Sequence, residues 1–470
     1  MRLMEALQIR KGEIVSFVGA GGKTTAMYRL GRELADQGWR VVTTTTTMIR
    51  PPSLEQTEAL IVESDPARAL RLIGEALIHS SLITLAARRL VADNKLKGIQ
   101  AGLVGALAEL ADAVIVEADG ARGLSLKAPA AHEPVLPPET TLLVPVVGID
   151  AVGCRLSEET VHRPNLVAAL TGQTHGELIS AVTLARLLVH PQGGLKGAPA
   201  SARVAPLINK VHDEPTLAAA REVSRSVKGH AALDRVLIGA VAAGVPVVEC
   251  WRRVSAIVLA AGASQRFGRP KQLLAVGGTT MIEHVLRTVR ETSVDDVVVV
   301  LGHLAAQVTK YVPASCRTVL NKDWDAGISS SIRVGLQAIE RRVAPSTGRS
   351  SAAADRWPGT AQAALFVLAD QPRLKSEDIE AILQAYYGTT KPIVIPVYQG
   401  QRGNPVLFDR RLFPALERLR GDVGGRDVVA RFPDQVLDVQ VPSRGIFSDI
   451  DTADDYERFL GENQRTGSIP

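Results

Sequence analysis

The chain has 470 residues, of which 46% are hydrophobic and 22% charged, with 40 Gly and 26 Pro. Those fractions exclude a largely disordered protein, and the length predicts two or three domains. A net charge of +5, 4% aromatic residues and no dense Lys/Arg run exclude a nucleic-acid binder and suit phosphorylated small molecules.

Cys154, Cys250 and Cys316 lie far apart with no CxxC pair, which predicts neither a disulfide framework nor a structural zinc site. No stretch approaches the ~18 uninterrupted apolar residues of a membrane span, and the N-terminus lacks the apolar run of a signal peptide. The expectation is a cytoplasmic protein with no membrane partner.

Short Val/Ile/Leu runs at 14–18, 114–116, 142–147, 236–238, 256–260, 297–301 and 364–368 alternate with helical periodicity. Runs without polar alternation suit strands buried on both faces, so the predicted class is α/β with mostly parallel sheets. The rhythm starts twice, each time as a strand, a Gly-rich loop and a helix. This predicts two fused domains: a P-loop-like α/β domain over 1–250 and a Rossmann-like domain over 254–460. Residues 341–362, rich in Ser, Ala, Pro and Gly, read as a flexible insertion, deletion of Ala344–Thr360 should leave nucleotidyl transfer nearly unchanged, and the tail after Gly461 reads as frayed.

The first loop reads IVSFVGAGGKTT over 14–25. Gly19, Gly21 and Gly22 let backbone N–H groups converge on phosphate, and a helix N-terminus adds positive potential. Lys23 would neutralise terminal phosphates and the Thr24 hydroxyl would ligate Mg²⁺, giving an ATP-type site. The spacing is shorter than a full Walker A motif, which would place Gly where Phe17 stands. A second strand-like run ends in Glu117 and Asp119, carboxylates able to hold the metal or its water. Thr43–Thr47 either binds phosphate from a strand end or is simply a β-branched strand. Asn209-Lys210 approaches a guanine-reading NKxD, but His212 stands where Asp is required, so GTP is not inferred.

The segments FVGAGGKTT, TTTTTM and VEADGARGLSLKAPAAHEP resemble the selenium-dependent hydroxylase accessory family (YqeC type). The resemblance implies a role around a molybdenum hydroxylase, with transient contact to that enzyme or its maturation chaperone.

The second loop, AIVLAAGASQRFGRPKQLL over 256–274, follows a buried strand with Leu259, Ala260, Ala261, Gly262 and Ser264. Arg266 and Lys271 would offset triphosphate and pyrophosphate charge. A later strand ends in Asp370, the natural place for a catalytic Mg²⁺ ligand. Asp449 and Asp451 offer further acids, though Asp451-Thr452 also suits a helix N-cap.

Together with NKDWDAGISSSIRVGL (321–336), LADQP (368–372), RGNPVLF (402–408), GDVGGRD (421–427) and DIDTADDY (449–456), this loop resembles the MobA-like nucleotidyltransferases, specifically the molybdenum cofactor cytidylyltransferases (MocA type). The resemblance implies attack by the phosphate of molybdopterin on the α-phosphate of CTP, with release of pyrophosphate. It implies that Arg266 and Lys271 bind triphosphate, that Asp370 holds Mg²⁺ and that Asp449 is the second acid. It also implies that Asn321, Gly327 and Ser329 line the nucleotide side. Gly403, Asn404 and Pro405, with Asp422 and Arg426, would bind the pterin substrate; the family more often has His at the place of Asn404. Ala261, where the guanylyl branch usually carries Gly, is similar to the cytidylyl branch. A sugar- or alditol-phosphate nucleotidyltransferase, or a non-catalytic cofactor-delivery chaperone, are the alternative readings.

Overall fold

The computed structural model describes residues 1–264, 267, 269–340 and 361–466. Arg266 and nearly all of the expected 341–362 insertion lie outside them. The chain divides into two compact units, Met1–Trp251 and Arg252–Pro470.

The first unit is built on the strand Glu13–Gly19, which lies at the centre of a ten-stranded sheet. It runs parallel to Ala113–Glu117 on one side and to Leu142–Gly148 on the other, with Phe17 opposite Glu117 and Gly19 opposite Val146. Val41–Thr45, Leu82–Ala86 and Ala59–Val62 continue the sheet beyond Ala113–Glu117. Leu207–Asn209 and Val236–Gly239 continue it the other way, and only the edge strand Val247–Trp251 runs antiparallel. The central strands are buried on both faces, which explains their continuous apolar sequences. The helix Lys23–Ala35 covers one face with Met27, Leu30 and Leu34, all fully buried. Thr43–Thr45 of the threonine run lie in the strand Val41–Thr45, and Thr46 and Thr47 follow its carboxyl end. Thr43 bonds the Thr84 hydroxyl, Thr44 donates to Leu85 O and Thr45 to Glu117 O, so these hydroxyls are spent inside the sheet.

In the second unit, Val254–Ala260 pairs in parallel with Asp296–Leu301 and with Ala363–Leu368, and Arg317–Leu320 extends the parallel part. Val406–Asp409 then joins antiparallel to Ala363–Leu368 and brings in Ile393–Tyr398, which pairs in parallel with Val436–Gln440. The result is an eight-stranded mixed sheet. Both units are therefore α/β with mostly parallel sheets. In such sheets ligands bind beyond the carboxyl ends of the strands, which is where both Gly-rich loops emerge. No helix among the described residues is long and apolar enough to cross a membrane.

Candidate functional site

In the first unit, the loop Gly19–Gly22 turns through three glycines with positive φ, +92°, +83° and +118° at Gly19, Gly21 and Gly22. A Cβ at Gly21 would strike the backbone of Gly148, so the loop is pressed against the neighbouring strand. Lys23 is 4% exposed, and its Nζ donates to Gly19 O at 2.7 Å. The same Nζ lies 3.2 Å from Asp119 Oδ1 and 3.7 Å from Glu117 Oε1. Thr24 Oγ1 donates to Glu117 Oε2 at 2.6 Å, and the Gly19 N–H donates to Asp119 Oδ2 at 3.0 Å. Burial pushes the Glu117 carboxyl above its ordinary range, opposed by the Lys23 charge. Asp119 lies past the strand end at Glu117, yet both acids reach Lys23 because the chain turns back over the loop.

A second buried lysine completes this network. Lys127 Nζ sits 2.9 Å from Asp119 Oδ2 and 2.8 Å from Glu133 Oε2, and donates to Gly120 O at 2.7 Å. Arg163 closes the chain on Glu133 at 2.6 Å. Burial opposes ionisation of Glu133, but Arg163 and Lys127 outweigh it and hold the carboxyl down at about 2. Asn209 braces the glycine loop from the side. Its Nδ2 donates to Gly21 O at 2.7 Å and its Oδ1 accepts from the Val241 N–H at 2.9 Å. Asp213 instead caps the helix Glu214–Val227 through the Thr216 N–H, so no carboxylate stands where an NKxD motif would read a base.

In the second unit, a cavity of about 800 Å³ opens beyond the strand Val254–Ala260. Leu259, Ala261, Gly262, Ser264 and Lys271 line one side, Trp324 and Gly327 another, and Asp370, Asp449 and Asp451 its acidic wall. Lys271 Nζ lies 2.6 Å from Asp451 Oδ1 and 3.4 Å from Asp370 Oδ2. Gln371 Nε2 donates to Asp449 Oδ1 at 2.6 Å. Burial, reinforced by the charges of Asp449 and Asp451 and opposed by Lys271, pushes the Asp370 carboxyl up to about 6. Burial likewise raises Asp449.

A second cavity of about 490 Å³ adjoins the first and shares Leu259, Ile328, Leu368, Asp422 and Asp449 with it. Its floor includes Phe366 and Phe408, packed edge to face at 6.0 Å, and its rim carries Arg402, Gly403, Asn404 and Arg426.

Two family descriptions match this chain: "YqeC protein" over residues 15–165 and "MobA-like NTP transferase domain" over 256–436. Uncharacterized protein YqeC of Escherichia coli is 30% identical over 223 residues, covering 47% of this chain and 85% of that protein. Nicotine blue oxidoreductase of Paenarthrobacter nicotinovorans is 30% identical over 220 residues, covering 44% of this chain and 96% of that protein. The chain belongs to the YqeC family in its first unit and to the MobA-like NTP transferases in its second. A probable molybdenum cofactor guanylyltransferase of Bacillus cereus is 42% identical over 60 residues, 13% of this chain and 30% of that protein.

The transferase unit does not place all of the expected residues on its cavities. Asn321 and Ser329 are buried behind the wall. Asn321 Nδ2 donates to the Ser330 and Ser331 hydroxyls at 2.8 and 3.0 Å, a staple that fixes the turn before the helix Ile328–Glu340. Ala260 also lies behind the cavity wall, where its carbonyl accepts from Gln272, and neither cavity includes Pro405. Gln371 and Trp324 at the transferase site, and Lys127, Glu133, Arg163 and Asn209 in the YqeC unit, went unassigned in the sequence. The LADQP and KAP…HEP segments carried Gln371, Lys127 and Glu133 in plain view; Lys127 and Glu133 pair within one segment, but Asp449 and Arg163, the further partners of Gln371 and Glu133, are distant in the chain.

Proposed function

We propose that the transferase unit transfers CMP from CTP to the phosphate of molybdopterin and releases pyrophosphate. The observation that carries this reading is the pair of adjoining cavities that meet at Asp449 and Asp422, with Lys271 and Asp370 on the first. One cavity suits a nucleoside triphosphate, and the second suits a flat, polar-edged acceptor lying over Phe366 and Phe408. A phosphate oxygen of the acceptor forms a bond to the α-phosphorus, and the bond to the bridging β-oxygen breaks. The acceptor phosphate is already dianionic near neutral pH, so no side chain need remove a proton. Lys271 is positioned to neutralise the triphosphate and the departing pyrophosphate.

Asp370 and Asp449 are hard oxygen donors of the kind Mg²⁺ prefers. Among the described residues no three His, Cys, Asp or Glu side chains converge closely enough to hold an ion by themselves. Phosphate oxygens and water would fill the remaining positions. Bound there, Mg²⁺ would supply charge stabilisation at the phosphoryl oxygens. Because the Asp370 carboxyl sits near 6 rather than at its ordinary value, it takes up a proton as pH falls through that point. Metal affinity, measured by Mn²⁺ titration, should therefore fall by about tenfold per pH unit below 6 and level off above it.

Ala261 is the basis for choosing CTP over GTP, because it lines the cavity where a larger purine would need room. Discrimination by one methyl-sized contact is worth about 10–200-fold, so kcat/KM should favour CTP by that order. Ala261→Gly should narrow the ratio. Equal rates for the two nucleotides in the parent would reject this assignment.

The YqeC unit is proposed to bind ATP–Mg²⁺, with Gly19–Thr24 around the phosphates and Glu117 or Asp119 toward the metal. Asp119 Oδ1 is buried, makes no hydrogen bond and faces the Lys23 ammonium at 3.2 Å, an acceptor that would pass to a metal-bound water once Lys23 turns to the phosphates. Its role would be to support delivery of the cofactor to a molybdenum hydroxylase. The deciding experiment incubates the protein with Mg²⁺, molybdopterin and each NTP in turn and identifies products by mass. A sugar phosphate acceptor runs in parallel. Products only from the sugar phosphate would overturn the reading.

A further inference from the structure

Lys271 occupies the place in the acidic wall where a bound cation belongs. Its ammonium bridges Asp451 at 2.6 Å and Asp370 at 3.4 Å, with the lysine side chain 12% exposed and that of Asp451 59% exposed. Asp449 is held separately by Gln371. Asp451 has no capping duty of its own. Thr452 Oγ1 accepts from the Asp455 N–H at 3.2 Å, while the Asp455 carboxylate receives the N–H groups of Asp451 and Thr452. The Asp451 side chain is thus left to hold Lys271.

We infer that Asp451 is a parking carboxylate for Lys271, a positioning residue that makes divalent metal and nucleoside triphosphate bind strongly together and weakly apart. The inference rests on the nucleotidyl-transfer reading of this cavity. A metal arriving alone meets carboxylates already neutralised by Lys271, and too few of them converge to replace its water. A triphosphate arriving alone must draw Lys271 away, which leaves Asp370, Asp449 and Asp451 facing its negative charge. When both arrive, Lys271 passes to the phosphates and the metal takes over the charge of Asp370 and Asp449. Each ligand therefore removes the obstacle to the other, and by linkage the two enhancements must be equal.

The test uses full-length Lys23→Met protein, which keeps most of the packing volume, so that nucleotide binding is read at one site. Mn²⁺ binding is measured by electron paramagnetic resonance with and without CTP, and CTP binding by calorimetry with and without Mn²⁺. In this parent each ligand should tighten the other by the same factor, on the order of 10–100-fold. Adding Asp451→Asn should tighten metal-free CTP binding and CTP-free Mn²⁺ binding about tenfold each, shrink the coupling accordingly and leave Mn²⁺ affinity in the presence of CTP unchanged. Adding Lys271→Met should tighten Mn²⁺ binding in the absence of nucleotide. Asp451 is largely exposed, so an unchanged urea midpoint is the folding control. Mn²⁺ affinity indifferent to CTP in the parent would overturn the inference. So would loss of Mn²⁺ by the Asp451→Asn protein with CTP bound, since Asp451 would then be a metal ligand. A parent that binds neither CTP nor any other nucleoside triphosphate with Mn²⁺ would overturn the transferase reading and this inference with it.

Discussion

Asp370→Ala should abolish pyrophosphate release from CTP, by at least about three orders of magnitude, with the fold intact. The acid stands just past the strand Ala363–Leu368, where the chain leaves the sheet for the cavity. Its carboxylate contacts Lys271 and no core group, so the change removes charge without opening a hydrophobic void. The lost effect is electrostatic stabilisation at the reacting phosphate, worth several kcal/mol when a metal supplies it, and each ~1.4 kcal/mol is tenfold in rate. Burial already makes the ionised form costly, so removing it should leave stability equal or slightly higher. Pyrophosphate release is read by a coupled phosphatase assay and the fold by circular dichroism. Substantial turnover by the well-folded variant would mean that the metal is held elsewhere.

Lys23→Ala should remove ATP binding from the YqeC unit, with a loss of at least about a hundredfold in affinity, and leave cytidylyl transfer largely intact. Lys23 is the one side chain that contacts the loop carbonyl of Gly19 and both acids at once. Its removal leaves Glu117 and Asp119 buried with Lys127 as the remaining close cation, on Asp119. An uncompensated buried charge is costly, so the substitution also threatens the unit's stability. Lys23→Met, which keeps most of the packing volume, is the companion variant, and thermal melts of both distinguish unfolding from lost phosphate binding. ATP binding by calorimetry on the full-length protein is the direct reading, beside cytidylyl transfer on the same preparation. Retained ATP affinity in a folded Lys23→Met protein would reduce the glycine loop to a strand–helix corner. Lost cytidylyl transfer would mean that the two units work as one machine.

The sequence by itself determined the α/β class, the two glycine-loop starts and the family of each half. Those features are local. A short apolar run without alternation, bounded by turn residues, suits a strand buried on both faces, and a glycine loop between strand and helix keeps its spacing whatever surrounds it. Asp370 was legible for the same reason, as an acid at the end of a buried strand. What only the tertiary structure decided is which distant groups share a charge. Lys23 meets Glu117 and Asp119 across some 95 residues, and Lys271 meets Asp451 across 180. The Thr43–Thr45 hydroxyls and the Asn321 amide bond within the fold, because a polar group enclosed in a sheet or turn must find its partner there. Gln371 and Glu133 went the other way. Each lies within a recognised segment, yet Gln371 is met by Asp449 from 78 residues on and Glu133 by Arg163 from 30 residues on, and no spacing along a chain records those encounters.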